Sequence, residues 1–244
     1  MYFLYSLLLA VALALTAPWW LWAMLRHGKY CAGLSERLGR IPKRLIPRDV
    51  ASCIEGGCAT STCIWVHAVS VGEVMGITGL TVELKRRLPD HRVVVSTTTA
   101  TGQKLARERF GPENVFYFPL DFAFAVRPYL RALKPELLVI AETEFWPNLL
   151  RLANSSGTRI AVVNARISDR SFPGYRRFRL LMRPVLRGVG LLLAQSSEDV
   201  HRLIAIGAPA ERVEVSGNLK FDVRMPPAAE LVDNLRQKLK DAGA

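Results

Sequence analysis

Glu73 lies in Ser70-Val71-Gly72-Glu73, directly after an apolar run. Two kinds of chemistry fit a carboxylate there. It can close a capping box, with Ser70 as N-cap and Glu73 reaching back from the third helical position. It can also act as a general base that takes a proton from an attacking hydroxyl. On that reading Gly72 lets a substrate come close to the backbone. Glu142 and Glu144 form a second carboxylate pair, two residues apart, at the end of another apolar run. In an extended chain they point to the same side. Neighbouring carboxylates push their pKa values apart, one holding its proton. The structural alternative is helix-start chemistry, since Phe145-Trp146-Pro147 opens the next helix and acids favour that end.

Asn164, Arg166, Ser168, Asp169 and Arg170 follow a further run. Arg166 offers a fork for phosphate or carboxylate, or a local surface ion pair. Lys220, in Gly217-Asn218-Leu219-Lys220, is a cation able to stabilise developing negative charge. His67 falls inside a run and reads as a packed strand histidine. His27, His91 and His201 lack a matching nucleophile motif. Cys31, Cys53, Cys58 and Cys63 lack zinc-ligand spacing and read as reduced thiols in a loop. The expectation is no metal and no cofactor.

These side chains need a frame. From Ser61 onward the runs IWVHAVS, RVVVSTTT, NVFYFPLD, ELLVIAETE, RIAVVNARIS, GLLLAQSS and RVEVSGNLKF alternate with helical patterns such as MGITGLTVELKRRL and QKLARERF. Nearly continuous Val, Ile and Leu predict strands buried on both faces. Strand and helix in alternation predict a parallel, doubly wound α/β sheet. Nearly every run ends in polar residues, and ligands of open α/β sheets bind beyond the carboxyl ends of the strands. The clusters should therefore meet along one edge. No G-x-G-x-x-G follows any run, which excludes a dinucleotide fingerprint.

Met1 to Leu25 carries no charged residue, and Trp19, Trp20 and Trp22 gather near its end. Roughly 20 apolar residues suffice to span a bilayer. The alternative is an interfacial helix that dips in without crossing. A cleaved signal peptide would carry its positive charge before the apolar run; here Arg26, Lys29, Arg37, Arg40, Lys43, Arg44 and Arg48 follow it. That order places the flank in the cytoplasm, and the flank faces anionic lipid. The formal charge of +12 calls for an anionic partner. Nucleic acid is not expected, because the cations cluster beside the anchor and no binding motif accompanies them.

The ordered set WVHAVSVGEV, STTTATG, AETEFWPNLL, NARISDRSF, AQSSED and SGNLKFD, from Trp65 to Asp222, resembles the 3-deoxy-D-manno-octulosonic acid (Kdo) transferases of lipopolysaccharide synthesis. The resemblance implies the two-domain GT-B glycosyltransferase fold, of which this chain would be the N-terminal, acceptor-binding, Rossmann-like half. It implies CMP-Kdo as donor and the lipid A precursor (lipid IVA) as acceptor, with inversion and no metal at the reaction centre. It assigns proton acceptance to Glu73 and transition-state roles to Glu142 and Lys220. Ser70, Gly72, Asn164, Arg166 and Ser168 are then the expected substrate-binding residues. The enzyme would work at the cytoplasmic face of the inner membrane.

The expected organisation is a membrane helix over 1–25, a basic juxtamembrane segment and linker over 26–60, the Rossmann-like domain over 61–223, and a connecting helix over 224–244. The stretch Ala51 to Thr62 departs from the family's usual linker. The proline-marked MPPAAELVDNLRQKLKDAGA leads toward a second, CMP-binding domain that this sequence lacks. A non-catalytic, membrane-bound acceptor-binding fragment is therefore the competing reading.

Overall fold

The computed structural model describes residues 1–27, 32–46 and 62–219. Lys220, Cys31, Cys53, Cys58, the departing linker and the connecting helix lie outside the described residues. The seven apolar runs become seven strands: β1 (Cys63–His67), β2 (Arg92–Thr97), β3 (Val115–Tyr117), β4 (Pro135–Ala141), β5 (Arg159–Ala165), β6 (Leu191–Ala194) and β7 (Val213–Val215). They form one sheet in the order β3-β2-β1-β4-β5-β6-β7, and every pairing is parallel. This is the expected parallel, Rossmann-like α/β architecture. Cys63 opens β1 as a buried thiol rather than lying in a loop, and burial pushes its pKa up to about 12.

Nine helices are described: α1 (Tyr2–His27), α2 (Leu34–Arg37), α3 (Val71–Arg87), α4 (Ala100–Phe110), α5 (Ala123–Leu133), α6 (Pro147–Ser155), α7 (Phe172–Arg177), α8 (Arg179–Leu186) and α9 (Ser197–Ala205). Successive strand residues point to opposite faces, and β1 divides its side chains accordingly. Ile64 and Val66 pack with Val74 and Ile77 of α3 and Ala106 of α4. Cys63 and Trp65 pack on the opposite face, in the core built from α5, α6, α8 and α9.

Part of the basic flank belongs to this domain. Leu45 is fully buried in the core. Glu36 accepts from the Tyr117 amide at 2.8 Å and pairs with Arg44 at 2.7 Å. Arg37 donates to the Thr98 carbonyl and lies over the Tyr117 ring. Two of the seven flanking cations, Arg37 and Arg44, thus bind the domain rather than face lipid.

Candidate functional site

The strand order reverses direction between β1 and β4. From β1 the chain moves outward to β2 and β3, then returns to place β4 on the other side of β1. That reversal splays the connecting loops and leaves a crevice at the carboxyl edge, the usual ligand position of open α/β sheets. Glu73 follows β1, Glu142 follows β4 and Asn164 is the penultimate residue of β5. The three meet around a crevice of about 10 Å³, together with Gly72, Gly76 and Leu219.

Glu73 is only 9% exposed. One carboxylate oxygen accepts from the Val69 amide at 2.7 Å and the other from the Ser70 hydroxyl at 2.9 Å. The capping box is thus half made: Ser70 is the N-cap residue, but its hydroxyl donates to Glu73 instead of capping the helix. Burial pushes the Glu73 carboxyl above the usual range. The two hydrogen bonds pull it back, and the charge of Glu142 pushes it up again. A carboxylate held this way is poised to accept a proton. A Cβ at Gly72 would meet only the Ser70 oxygen, at 4.0 Å, so the space over Gly72 is open.

Glu142 does not continue β4 as an extended residue. Its φ is 60°, and its amide donates to the Val163 carbonyl at 2.8 Å. The same-side geometry expected for Glu142 and Glu144 therefore fails, because the backbone turns between strand and loop. Their fields still converge. Burial raises the pKa of Glu144, with Glu73 and Glu142 adding to it. The helix-start role also falls away. Asp121 accepts from the Asn148 and Leu149 amides at 3.0 and 2.7 Å and so caps α6. Neither glutamate is needed there.

Asn164 also has a positive φ, 58°, at a register shift between β5 and β6. Its side-chain oxygen accepts from the Leu219 amide at 3.1 Å, drawing the segment after β7 toward the crevice. Arg166 is exposed, and its amide donates to the Thr143 hydroxyl at 2.9 Å. Ser168 lies farther along this loop, within 2.9 Å of the Ser171 hydroxyl at the start of α7. The structure thus joins Glu73, Gly72, Glu142 and Asn164 and puts Ser168 in a turn. His67 is fully buried, stacked 3.9 Å from Phe118, with burial pushing its pKa down to about 3. It is the packed neutral histidine expected.

The family model for 3-deoxy-D-manno-octulosonic-acid transferase (kdotransferase) matches residues 32–223. The chain belongs to the Kdo transferase family. It is 35% identical over 221 residues to the Kdo transferase of Bordetella pertussis, covering 86% of this chain and 48% of that one. It is 32% identical to the Haemophilus influenzae enzyme, covering 68% of this chain and 39% of that one. A bifunctional glycosyltransferase/methyltransferase of Fusobacterium nucleatum is 34% identical over 74% of this chain and 28% of that protein. The chain thus spans about half, or less, of the length of these relatives.

Two solved structures share the fold. A Listeria monocytogenes protein, provisionally assigned as a UDP-N-acetylglucosamine 2-epimerase, aligns with a TM-score of 0.52 at 12% identity, covering 72% of this chain and 51% of that one. Anabaena HepE in complex with UDP-glucose aligns with a TM-score of 0.50 at 15% identity, covering 73% and 50%.

Not every stretch that carries the Kdo transferase resemblance carries chemistry. In AQSSED, Ser196 caps α9 and Asp199 accepts from the Ile167 amide at 2.9 Å. That segment holds the loop after β5 in place. The sequence reading passed over Thr143, whose hydroxyl also donates to the Arg166 carbonyl and so ties the loops after β4 and β5. It also passed over Tyr175, whose phenol is raised by burial and by the charge of Glu144. Only tertiary structure brings Tyr175 to Glu144.

Proposed function

We propose that this chain is the acceptor-binding half of a Kdo transferase that moves Kdo from CMP-Kdo to the lipid A precursor, with inversion and without a metal. The membership of the family supports this reading. The observation that carries it is Glu73, its carboxyl pushed above the usual range by burial, at the reversal point of the sheet and next to the open space over Gly72. An acceptor hydroxyl attacks the anomeric carbon of Kdo while its proton passes to Glu73. The bond from that carbon to the CMP phosphate breaks, and the phosphate leaves with the electron pair. Lys220 stabilises the charge that develops on it. Glu142 orients the acceptor, and Ser70, Asn164, Arg166 and Ser168 supply polar contacts along the same edge. The work takes place on the cytoplasmic face of the inner membrane, where the lipid acceptor resides.

The test uses a chain that carries a nucleotide-binding half. Glu73→Gln keeps an acceptor oxygen for the Val69 amide, and its NH2 can donate to the Ser70 hydroxyl in place of the accepted bond, but it cannot take a proton. Removing a general base costs about 10²–10⁴-fold in turnover. Near-normal Kdo transfer by this variant would rule out the base assignment. The chain spans about half, or less, of these relatives' length, and a second reading is acceptor binding without catalysis. Supplying CMP-Kdo and lipid IVA to the chain as it stands separates the two. Turnover rejects the fragment reading, and acceptor binding without turnover supports it.

A further inference from the structure

The placement of α1 bears on how the molecule meets a membrane. Over Tyr2–Met24 the mean hydropathy is 1.8 and only 6% of the window is buried, so α1 is no core helix. A helix of this length rises about 35 Å, more than the roughly 30 Å of a bilayer's hydrocarbon core. If it crossed, Tyr2 and Arg26 would stand on opposite sides. Yet the first turns of α1 touch the same domain that follows its other end. The Ser6 hydroxyl accepts from Asn148 at 3.0 Å, and Arg151 lies 4.8 Å over the Tyr2 ring. Tyr2 itself packs against the main core.

The exposure pattern agrees along the whole helix. Tyr2, Leu9, Leu13, Ala17, Trp20 and Met24 are half-buried, at helical spacing. The opposite stripe, Phe3, Leu7, Val11, Leu15, Trp19 and Trp22, is 82%, 48%, 47%, 78%, 64% and 52% exposed. Beside it lies α8, with Leu180 84% and Leu181 48% exposed. Arg179, Arg183 and the C-cap residue Arg187 recur every four residues along one flank of α8, beside the turn between α9 and β7. Between α1 and α8 runs an apolar groove of about 400 Å³, lined by Leu4, Leu8, Leu181 and Met182 and reaching Glu144.

We propose that α1 lies in the plane of an anionic phospholipid bilayer rather than crossing it, and that α8 docks on the same surface. The exposed stripe of α1 and Leu180 and Leu181 of α8 enter the acyl boundary. The arginines of α8 extend to the anionic headgroups, their stems along the apolar layer. The charge row on α8 is what commits this surface to anionic lipid. The arrangement brings the membrane up to the groove that ends at Glu144, and it does not depend on the reaction proposed above.

The test uses the whole chain with Cys31, Cys53 and Cys58 changed to Ser and Cys63 to Ala. Fluorophores are placed singly through Phe3→Cys, Val11→Cys, Trp19→Cys and Leu180→Cys. Depth is read with lipid-borne quenchers in phosphatidylethanolamine–phosphatidylglycerol vesicles. An in-plane helix puts the three α1 labels at one shallow depth, roughly 5–10 Å below the headgroups. A Val11 label deeper than both others, with Phe3 quenched from the far leaflet, overturns the proposal. The Leu180 label is expected to be shielded from water by these vesicles. Changing Arg179, Arg183 and Arg187 to Gln should weaken that docking about fivefold per charge while leaving the α1 depths unchanged. A Leu180 label equally wet with and without vesicles overturns the part played by α8. Labels shielded from all lipid quenchers, with a crosslinked dimer, would assign the face to a second copy and overturn the proposal as well.

Discussion

Glu73 combines two demands that usually conflict. It is anchored like a structural carboxylate, by the Val69 amide and the Ser70 hydroxyl, yet burial and Glu142 favour its protonated form. A buried group whose folded pKa exceeds the unfolded value adds stability below the unfolded value, and that stability is lost as pH rises through the folded one. At neutral pH the ionised Glu73 therefore weakens the fold. Glu73→Gln retains an oxygen for the Val69 amide and removes the charge. It should stabilise the protein at pH 7 and raise its melting temperature. The gain should vanish below the ordinary glutamate value of 4.5. Thermal melts across pH in one detergent measure it, and a variant less stable at neutral pH would show that the hydrogen bonds outweigh the buried charge.

At the scale of elements, the carboxyl edge is shaped by two strands that end in left-handed residues. Glu142 and Asn164 sit side by side, one after β4 and one at the end of β5. Asn tolerates that region, whereas Glu is strained in it. The strain turns the chain out of the sheet into the loop where Thr143 locks onto Arg166. Comparing Glu142→Gly with Glu142→Ala isolates it, because both lose the same side chain. The Gly variant should be the more stable by about 1 kcal/mol in chemical denaturation. Equal stabilities would mean that the backbone is relaxed there. The strands themselves were legible in the sequence, since a strand buried on both faces must be a short apolar run and each run ended where its polar cluster began. The meeting of Glu73 with Glu142 was legible for the same reason. The turn at Glu142 was not, because no residue type in Ala141-Glu142-Thr143 signals a positive φ. The cap of α6 was hidden for a different reason: Asp121 lies 26 residues before Pro147 in the chain, and only the fold brings them together.

At the scale of the molecule, the apolar N-terminal helix is part of the domain's architecture as well as the proposed means of meeting a membrane. A helix that merely tethers a domain can be removed without loss of domain stability. Here the first turns of α1 supply a ring beneath Arg151, an acceptor for Asn148, and cover for the core at Tyr2. Asn148 also donates to the Asp121 carbonyl at 2.6 Å and lends its amide to the cap of α6, so the contact reaches the start of α6 and the loop that carries Asp121. Deleting residues 1–27 strips a half-buried cation–π contact worth about 1 kcal/mol and a hydrogen bond worth about 1 kcal/mol. In the same detergent, the shortened chain should melt roughly 4–8 °C lower. Restoring a generic hydrophobic helix in place of α1 should recover membrane binding but not the melting temperature. Recovery of both by such a replacement would mean that the specific contacts of Tyr2 and Ser6 add nothing, and that α1 acts only as a tether. Loss of stability with membrane binding retained would place the anchor and the catalytic edge in one cooperative unit.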